Sequence, residues 1–269
     1  MTTSIAAVLP RREPPGPAPG VSSLLVLGGY AADGEPAGAL YFWAHSRFPG
    51  DFEVGLHSHE RLEILTLVLD GIMSHYDTAT RRWTDLHPGD AQLIQSGPGI
   101  SHNERFITGM RGYQIQFDPG YDMARRQEPS YTNYPASSFS AHLADGALVT
   151  DLVGRNGPID ARTEGLSVRR VAVPAGASAA LEVGAGQFTL AHLIEGAAVI
   201  NGASAEAGDA ISLGDASSLS VAATAPADLF VVSVPARPSY EPQRRRFGAG
   251  EQAPAPFPGA SGDPGLSQN

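Results

Sequence analysis

Short apolar runs separated by turn-forming residues dominate much of the sequence. Runs such as ILTLVL and YQIQF are five or six residues long and lie between segments rich in Gly, Pro, Asn and Asp. This spacing is typical of strands in a β-sandwich or barrel, and no segment shows the sustained 3.6-residue period of an amphipathic helix. The pattern therefore predicts an all-β chain.

The apolar runs of the first half define the predicted strands, which cover residues 21–29, 39–43, 57–59, 64–69, 72–77, 91–95, 101–106 and 111–117. Asp70 and Gly71 form a dipeptide that favours a two-residue turn, so we expect the strands on either side of it to pair as a hairpin. Residues 78–85 are predicted to be a connecting loop. The polar stretch from 118 to 165 is predicted to hold a short helix and one strand.

The second half of the chain repeats the first. Residues 194–213 mirror residues 69–94, because each segment has an acidic-Gly pair, a strand, a loop, Gly-Asp-Ala and another strand. Such a duplication indicates two similar domains. The predicted division is a disordered or draped segment at 1–20, an N-terminal domain at 21–125, a connection at 126–164, a C-terminal domain at 165–235 and a Pro/Gly-rich tail at 236–269.

Candidate chemistry is concentrated in the N-terminal copy. His57 and His59 are two residues apart, and so are His102 and Glu104. Residues two apart on a strand point to the same face, so two neighbouring strands could aim three imidazoles and one carboxylate at a common point. Such ligands suit a divalent ion such as Fe(II), Ni(II), Cu(II), Mn(II) or Zn(II). The second copy keeps His192 but has no His-x-His pair.

Composition excludes several other kinds of protein. The 269 residues include no Cys and no Lys, which excludes disulfides, zinc–thiolate sites, thiol nucleophiles and Schiff-base chemistry. The net charge of -10, without a basic stripe, argues against nucleic-acid binding. No apolar run is long enough to span a membrane, and the N-terminus does not resemble a signal peptide, so we expect a cytoplasmic protein.

Two spaced motifs resemble those of the cupin superfamily. The first motif is matched by Gly55, His57, His59, Glu63 and Gly71, and the second by Pro88, Gly89, Asp90, Gly97, Gly99 and His102. Within the cupins, the two-domain pirin family resembles this chain best over about residues 25–235. The shared features are the pair His102 and Glu104, the strand SHYDT and a second copy without ligands. The resemblance implies two tandem cupin (jelly-roll) β-barrel domains, an arrangement called a bicupin.

The resemblance also implies a ligand set. In pirins one divalent metal, Fe(II) by default, is held by the residues that correspond to His57, His59, His102 and Glu104; Ni, Cu, Mn, Co and Zn are alternatives. In many other cupins the glutamate of the first motif is the ligand. That residue is Glu63, which would share a face with His59 in a regular strand. We therefore predict Glu104 as the ligand and Glu63 as a structural or supporting carboxylate, and the reverse assignment stays open. His75 could reach the cavity, but we predict a structural histidine with its hydrogen bonds satisfied.

The resemblance is closest to bacterial pirins linked to quercetin 2,3-dioxygenase activity. It implies a dioxygenase that acts with O2 on a flavonol or another enolic or phenolic small molecule, with Glu104 as the catalytic base. Pirins usually carry His-Pro-His and then Arg-Gly-Phe, whereas this chain has His-Ser-His and then Glu60, Arg61 and Leu62. This departure motivates an alternative, an O2-independent isomerase, cyclase or lyase. A non-enzymatic metal or redox sensor that regulates a partner is a third possibility. We expect a monomer or a homodimer.

Overall fold

A computed structural model describes residues 5–9, 11, 13, 16, 20–27, 38–214 and 216–243. The strands of the first half are β1 (Ile5–Val8), β2 (Ser22–Leu27), β3 (Leu40–Phe48), β4 (Phe52–Glu53), β5 (His57–His59), β6 (Glu63–Asp77), β7 (Trp83–Leu86), β8 (Ala91–Gln95), β9 (Ile100–Phe117) and β10 (Ser130–Tyr134). The strands of the second half are β11 (Ala141–Ala144), β12 (Ala147–Val153), β13 (Ser167–Val173), β14 (Ser178–Glu182), β15 (Gln187–Glu195), β16 (Ala197–Ile200), β17 (Ala203–Glu206), β18 (Ala210–Gly214), β19 (Ser218–Ala223) and β20 (Ala227–Pro235). The helical elements are α1 (Tyr121–Ala124) and a 3-10 turn at Ala136–Ser138. The predicted all-β fold is confirmed.

The first barrel is a curled nine-stranded sheet in which β9 is the central strand. The order is β10-β8-β6-β9-β3-β2, with β4 and β5 also paired to β9 and β7 paired to β6. All of these pairings are antiparallel. The start of β9 pairs with β5 and β4, and its end pairs with β3, so this one strand contributes to both ends of the barrel.

The second barrel is built from two antiparallel sheets. One has seven strands in the order β1-β18-β15-β20-β13-β12-β11, and the other has four in the order β14-β19-β16-β17. A cluster of buried Ala, Val, Leu and Ile side chains lies between these two sheets. Burial of such side chains is the main favourable contribution to folding, so this barrel has an ordinary packed core.

The two barrels pack against each other through an apolar layer. Trp43 and Tyr113 of the first barrel contact Phe230 of the second, with ring centroids 5.9 and 4.9 Å from the Phe230 ring. Tyr113 and Nδ1 of His192 form a hydrogen bond of 2.6 Å across the same interface. The seven-stranded sheet therefore buries one face against its own barrel core and the other against the first barrel.

The expected hairpin at Asp70 and Gly71 is wrong. The strand β6 runs without interruption from Glu63 to Asp77, and its pairing with β9 shifts register on both sides of Asp70. The dipeptide is therefore a bulge that bends one strand around the barrel. Gly71 has φ of +71°, and a Cβ added there would lie 2.6 Å from the Met110 backbone, so this close approach requires glycine. Residues 101–117 likewise lie in one strand, where we expected two.

The connection between the barrels and part of the N-terminal segment form strands that pair with the two barrels, and the start of the C-terminal tail hydrogen bonds to the first barrel. Between residues 118 and 165 the chain forms three strands where we expected one: β10 extends the first barrel, and β11 and β12 extend the second. Residues 78–85, expected to be a loop, contribute to β7. Strand β1, from the N-terminal segment, pairs with β18 of the second barrel. Gln243 donates to Asp118 of the first barrel. The rest of the predicted tail, 244–269, lies outside the described residues.

The helices in the described ranges are all too short to cross a membrane.

Candidate metal centre

Three histidines converge inside the first barrel. Strand β5 lies beside the start of β9, and His57 is paired directly with His102. The alternation of β5 places His59 on the same side as His57. One potential ligand atom from each of His57, His59 and His102 lies within 4.8 Å of the others. The sequence prediction that these imidazoles share one point therefore agrees with the geometry.

The local backbone fixes the orientation and the tautomer of the His57 ring. Gly55 has φ of +90°, which turns the chain just before β5 and is a conformation that favours glycine. Its carbonyl oxygen lies 2.9 Å from Nδ1 of His57. Because a carbonyl only accepts, Nδ1 carries the proton and Nε2 keeps its lone pair free. This is how metal-binding histidines are commonly oriented.

The other two imidazoles fit a metal because their nitrogens are buried without protein partners. His59 and His102 are 6% and 0% exposed. Among the described residues, neither ring nitrogen of either side chain has a hydrogen-bond partner. Buried polar atoms normally have such a partner. A divalent ion would satisfy one nitrogen of each ring, so the donor set fits a metal bound by imidazoles.

Burial also keeps these imidazoles neutral. Desolvation lowers the pKa of His59 to about 4 and that of His102 well below the ordinary value; the neighbouring histidines contribute in the same direction. Desolvation lowers the pKa of His57 as well, although the Gly55 carbonyl opposes the shift. Since only a neutral imidazole binds a metal, the three rings are in the ligating form at neutral pH.

Glu104 lies on the same face of β9 as His102 and is 2% exposed. Desolvation raises the pKa of its carboxyl group to about 7, against the opposing effect of Gln114. The Nε2 atom of Gln114 is 3.3 and 3.5 Å from the two carboxylate oxygens. Glu104 is not part of the group of three histidines whose ligand atoms lie within 4.8 Å. Its assignment as the fourth ligand stays a prediction.

Glu63 faces away from the histidines and holds the connection between the barrels. Its carboxylate accepts hydrogen bonds from the backbone N–H and Oγ1 of Thr163 at 2.8 and 2.6 Å, and from the Arg162 N–H at 2.8 Å. The expectation that Glu63 shares a face with His59 is wrong because the strand is interrupted. Arg61, between β5 and β6, has φ of +59°. The open alternative of Glu63 as the metal ligand is therefore disfavoured by the geometry.

A mainly apolar cavity adjoins Glu104 in the first barrel. The space between its lining residues, open solvent at the mouth included, is about 380 Å³. Phe42, Phe48 and Phe106 provide apolar walls, and Thr66, Glu104 and Gln114 provide polar groups. We did not predict Thr66, although a hydroxyl within the apolar run ILTLVL was a usable signal.

The prediction that the hydrogen bonds of His75 are satisfied does not agree with the structure. It is 0% exposed, and in the described part of the chain neither of its ring nitrogens has a hydrogen-bond partner. Asp90 and Asp209 each cap a turn, because each accepts a hydrogen bond from the backbone N–H three residues earlier, that of His87 and of Glu206 respectively.

Comparison with known families decides which kind of barrel protein this is. The sequence of residues 41–116 matches the family model described as Pirin, and that of residues 164–234 matches the family model described as Quercetinase C-terminal cupin domain. Together these matches cover more than half of the chain. The chain belongs to the pirin family. The motifs that suggested this family, in residues 55–104, fall inside the first match.

Relatives with curated names align with parts of this pirin. A pirin-like protein from Caulobacter vibrioides is 28% identical over 129 residues, which are 45% of this chain and 46% of the relative. A relative from Zymomonas mobilis is 32% identical over 84 residues, which are 30% of this chain and 35% of the relative. The matched part thus spans less than half the length of either relative.

Solved structures show the same fold over most of this pirin. The bacterial pirin YhhW from Escherichia coli, solved in complex with nickel(II), has a TM-score of 0.70 at 20% identity, over 86% of this chain and 99% of that chain. A quercetin 2,3-dioxygenase from Acinetobacter baumannii has a TM-score of 0.71 at 20% identity, over 82% of this chain and 84% of that chain. At these identities the likeness concerns the fold alone, and it confirms the predicted bicupin architecture.

Proposed function

We propose that this pirin is a metal-dependent dioxygenase for an enolic or phenolic small molecule, with a flavonol such as quercetin as the first substrate to test. The observation that carries the proposal is the convergence of three neutral imidazoles, two of them buried, in a barrel whose cavity is lined by one buried carboxylate. We retain the proposed division into an N-terminal metal-binding domain at 21–125 and a C-terminal domain at 165–235.

His57, His59 and His102 hold the metal in this proposal, and Glu104 is the fourth protein ligand. Three nitrogens and one carboxylate suit Fe(II), our first choice, and also Ni, Cu, Mn, Co or Zn. When bound, the ion would supply a Lewis acid that orients the substrate oxygen together with O2. Imidazoles that stay neutral at neutral pH favour its retention.

Glu104 is also the catalytic base. A free Oε atom of Glu104 would accept the proton of the substrate hydroxyl. A carboxyl group with a pKa of about 7 suits this role because it can both accept and return a proton near neutral pH. The Nε2 group of Gln114 orients the carboxylate from the neighbouring part of β9.

The cavity walls select the substrate class. The side chains of Phe42, Phe48 and Phe106 offer apolar surface to a flat aromatic molecule and exclude water from the reacting atoms. The polar groups of Thr66 and Gln114 lie among them, so a substrate with a few hydroxyl groups fits better than a hydrocarbon. This arrangement supports a phenolic or enolic small molecule and gives no role to nucleic acid or membrane.

The test is O2 consumption after anaerobic loading with each metal in turn. We expect quercetin to disappear together with O2 and, with ¹⁸O₂, two labelled oxygen atoms in the products. The matched control is Glu104→Gln, which preserves the shape of the side chain; we expect its turnover to fall at least about a hundredfold, as for loss of a general base. Absence of O2 uptake with every loaded metal and a panel of flavonols and catechols would reject the proposal. Turnover that persists without O2 would favour the isomerase, cyclase or lyase alternative.

A further inference from the structure

His75 lies inside the first barrel, opposite Glu104. In the ladder between β6 and β9, His75 is the direct partner of Glu104. Directly paired residues of antiparallel strands project to the same face, with Cβ atoms about 4.5–5.5 Å apart. The His75 ring lies 5.4 Å from the His102 ring and 5.2 Å from the Tyr131 ring, measured between centroids. His75 is therefore a neighbour of both residues that β9 contributes to the proposed metal centre.

The hydrogen-bonding capacity of His75 is unused. Its side chain is 0% exposed, and both ring nitrogens lack a partner within the described residues. A neutral imidazole has one N–H donor and one acceptor. Leaving such a group unsatisfied in the interior costs about 1–3 kcal/mol, so a histidine kept only for packing would be replaced at little cost by an apolar side chain.

The Glu104 carboxylate has too few hydrogen-bond donors. In the described ranges its carboxylate receives hydrogen bonds from Gln114 alone, and both distances, 3.3 and 3.5 Å, are long. A buried carboxylate has about four acceptor positions and needs donors or a cation to remain ionised. A donor without an acceptor thus faces a carboxylate with too few donors.

We propose that His75 is a positioning residue that donates an N–H to one oxygen of Glu104 and leaves the other oxygen directed at the metal. The inference rests on the metal centre of the proposed function. It treats His75 as a supporting residue because its direct partner in the ladder is Glu104, the proposed fourth ligand. Supporting hydrogen bonds of this kind hold ligating side chains in one orientation.

Substitutions that separate shape from hydrogen bonding test the inference. His75→Phe keeps a flat ring without a donor, and His75→Gln keeps an N–H donor near the position of Nε2. We expect His75→Phe to weaken the affinity for Ni(II) about 10–100-fold in a competition titration, as for other supporting residues. We expect His75→Gln to restore most of that affinity.

The background variant Glu104→Gln supplies the control. If His75 acts through Glu104, His75→Phe should change the Ni(II) affinity little once Glu104 is replaced. Unchanged affinity in His75→Phe would overturn the inference, and so would equal losses in the Phe and Gln variants. Loss of one nitrogen from the Cu(II) electron paramagnetic resonance signal would overturn it in favour of a direct ligand.

The proposed function and this inference fail in different ways. Metal binding without O2 uptake would reject the dioxygenase and leave the role of His75 standing. A wild-type protein that binds no divalent ion would overturn both.

Discussion

The two barrels share a fold but differ in what fills them. The second barrel encloses a cluster made of Ala, Val, Leu and Ile side chains. The buried hydroxyl groups of Thr189 and Ser233 form a hydrogen bond of 2.8 Å with each other, so each has a partner within this barrel. The first barrel instead encloses four histidines, a glutamate and a cavity. Several of its buried nitrogens have no partner among the described residues.

This difference supports the proposal that the first barrel holds the functional site and that the second mainly stabilises the fold. Unsatisfied buried polar atoms reduce stability, and they persist where a ligand completes them. The second barrel supplies an apolar outer face that packs on the first through Trp43, Tyr113 and Phe230. We infer that the second barrel supports the first and leaves its interior free for polar groups.

The largest expected effect is on metal binding. Replacing His57 and His102 together by Ala should lower the affinity for Ni(II) or Fe(II) by more than about a hundredfold, since loss of a supporting residue alone costs roughly 10–100-fold. Elemental analysis and calorimetric titration should show one ion per wild-type chain and none per variant. The control is His142→Ala, which removes a half-exposed histidine of the second half of the chain. Retention of one ion by the double variant would place the metal elsewhere and remove the contrast between the barrels.

A second prediction compares the two interiors directly. Leu193→Ala removes a fully buried side chain from the core of the second barrel and should cost about 2–5 kcal/mol of unfolding free energy. Thr66→Val in the first barrel replaces a buried hydroxyl that has no hydrogen-bond partner in the described structure. That change should alter stability by less than about 1 kcal/mol, in either direction. Denaturant titration of the metal-free proteins measures both values, and equal losses would contradict the contrast.

A third prediction concerns the joint between the barrels. Glu63→Gln replaces a carboxylate that accepts three hydrogen bonds from Arg162 and Thr163, so it should cost about 1–3 kcal/mol of unfolding free energy. Metal affinity should stay within about twofold of the wild type because Glu63 faces away from the histidines. The exposed Glu60→Gln serves as the control for both measurements. A large loss of metal affinity in Glu63→Gln would restore it as the candidate ligand.

The sequence alone predicted the face of a strand on which a residue lies where that face depends only on nearby residues. The two-residue spacing of His57 and His59, and of His102 and Glu104, fixes their faces once both segments are strands. The same spacing argument failed for Glu63 because Arg61, in the left-handed region, interrupts the alternation. It failed for the Asp70-Gly71 dipeptide because a barrel uses a bulge where an isolated hairpin would use a turn.

Long-range register is the information that a single sequence lacks. Nothing near His75 in the chain indicates that it is paired with Glu104, which is 29 residues away and on another strand. From the sequence we therefore favoured a satisfied structural role for His75 over one in which it reaches the cavity. The cavity residues Phe42 and Phe48 were likewise not distinguishable from core residues, since both kinds of position are apolar and buried.

The smallest expected effect, and the sharpest for the chemistry of the first barrel, is the pH dependence of metal affinity. Burial raises the pKa of Glu104 to about 7, so below pH 7 a proton increasingly occupies the carboxylate that the metal needs. Burial lowers the pKa of His59 to about 4 and that of His102 further, so these imidazoles stay neutral at pH 5.5. The contribution of Glu104 to the affinity should therefore fall about 15-fold from pH 7 to pH 5.5, approaching the slope of a single proton.

Glu104→Gln separates the contributions to that slope, because the amide does not titrate. Its affinity for Ni(II) should be lower than that of the wild type at pH 7 but nearly constant down to pH 5.5. If the three imidazoles had an ordinary pKa near 6.5, the metal affinity of both proteins would instead fall by about 10²–10³ over the same pH interval. A steep loss in both would show that the barrel does not keep its histidines neutral. A flat wild-type profile would show that Glu104 is not a ligand, and the first barrel would then hold its metal by three histidines alone.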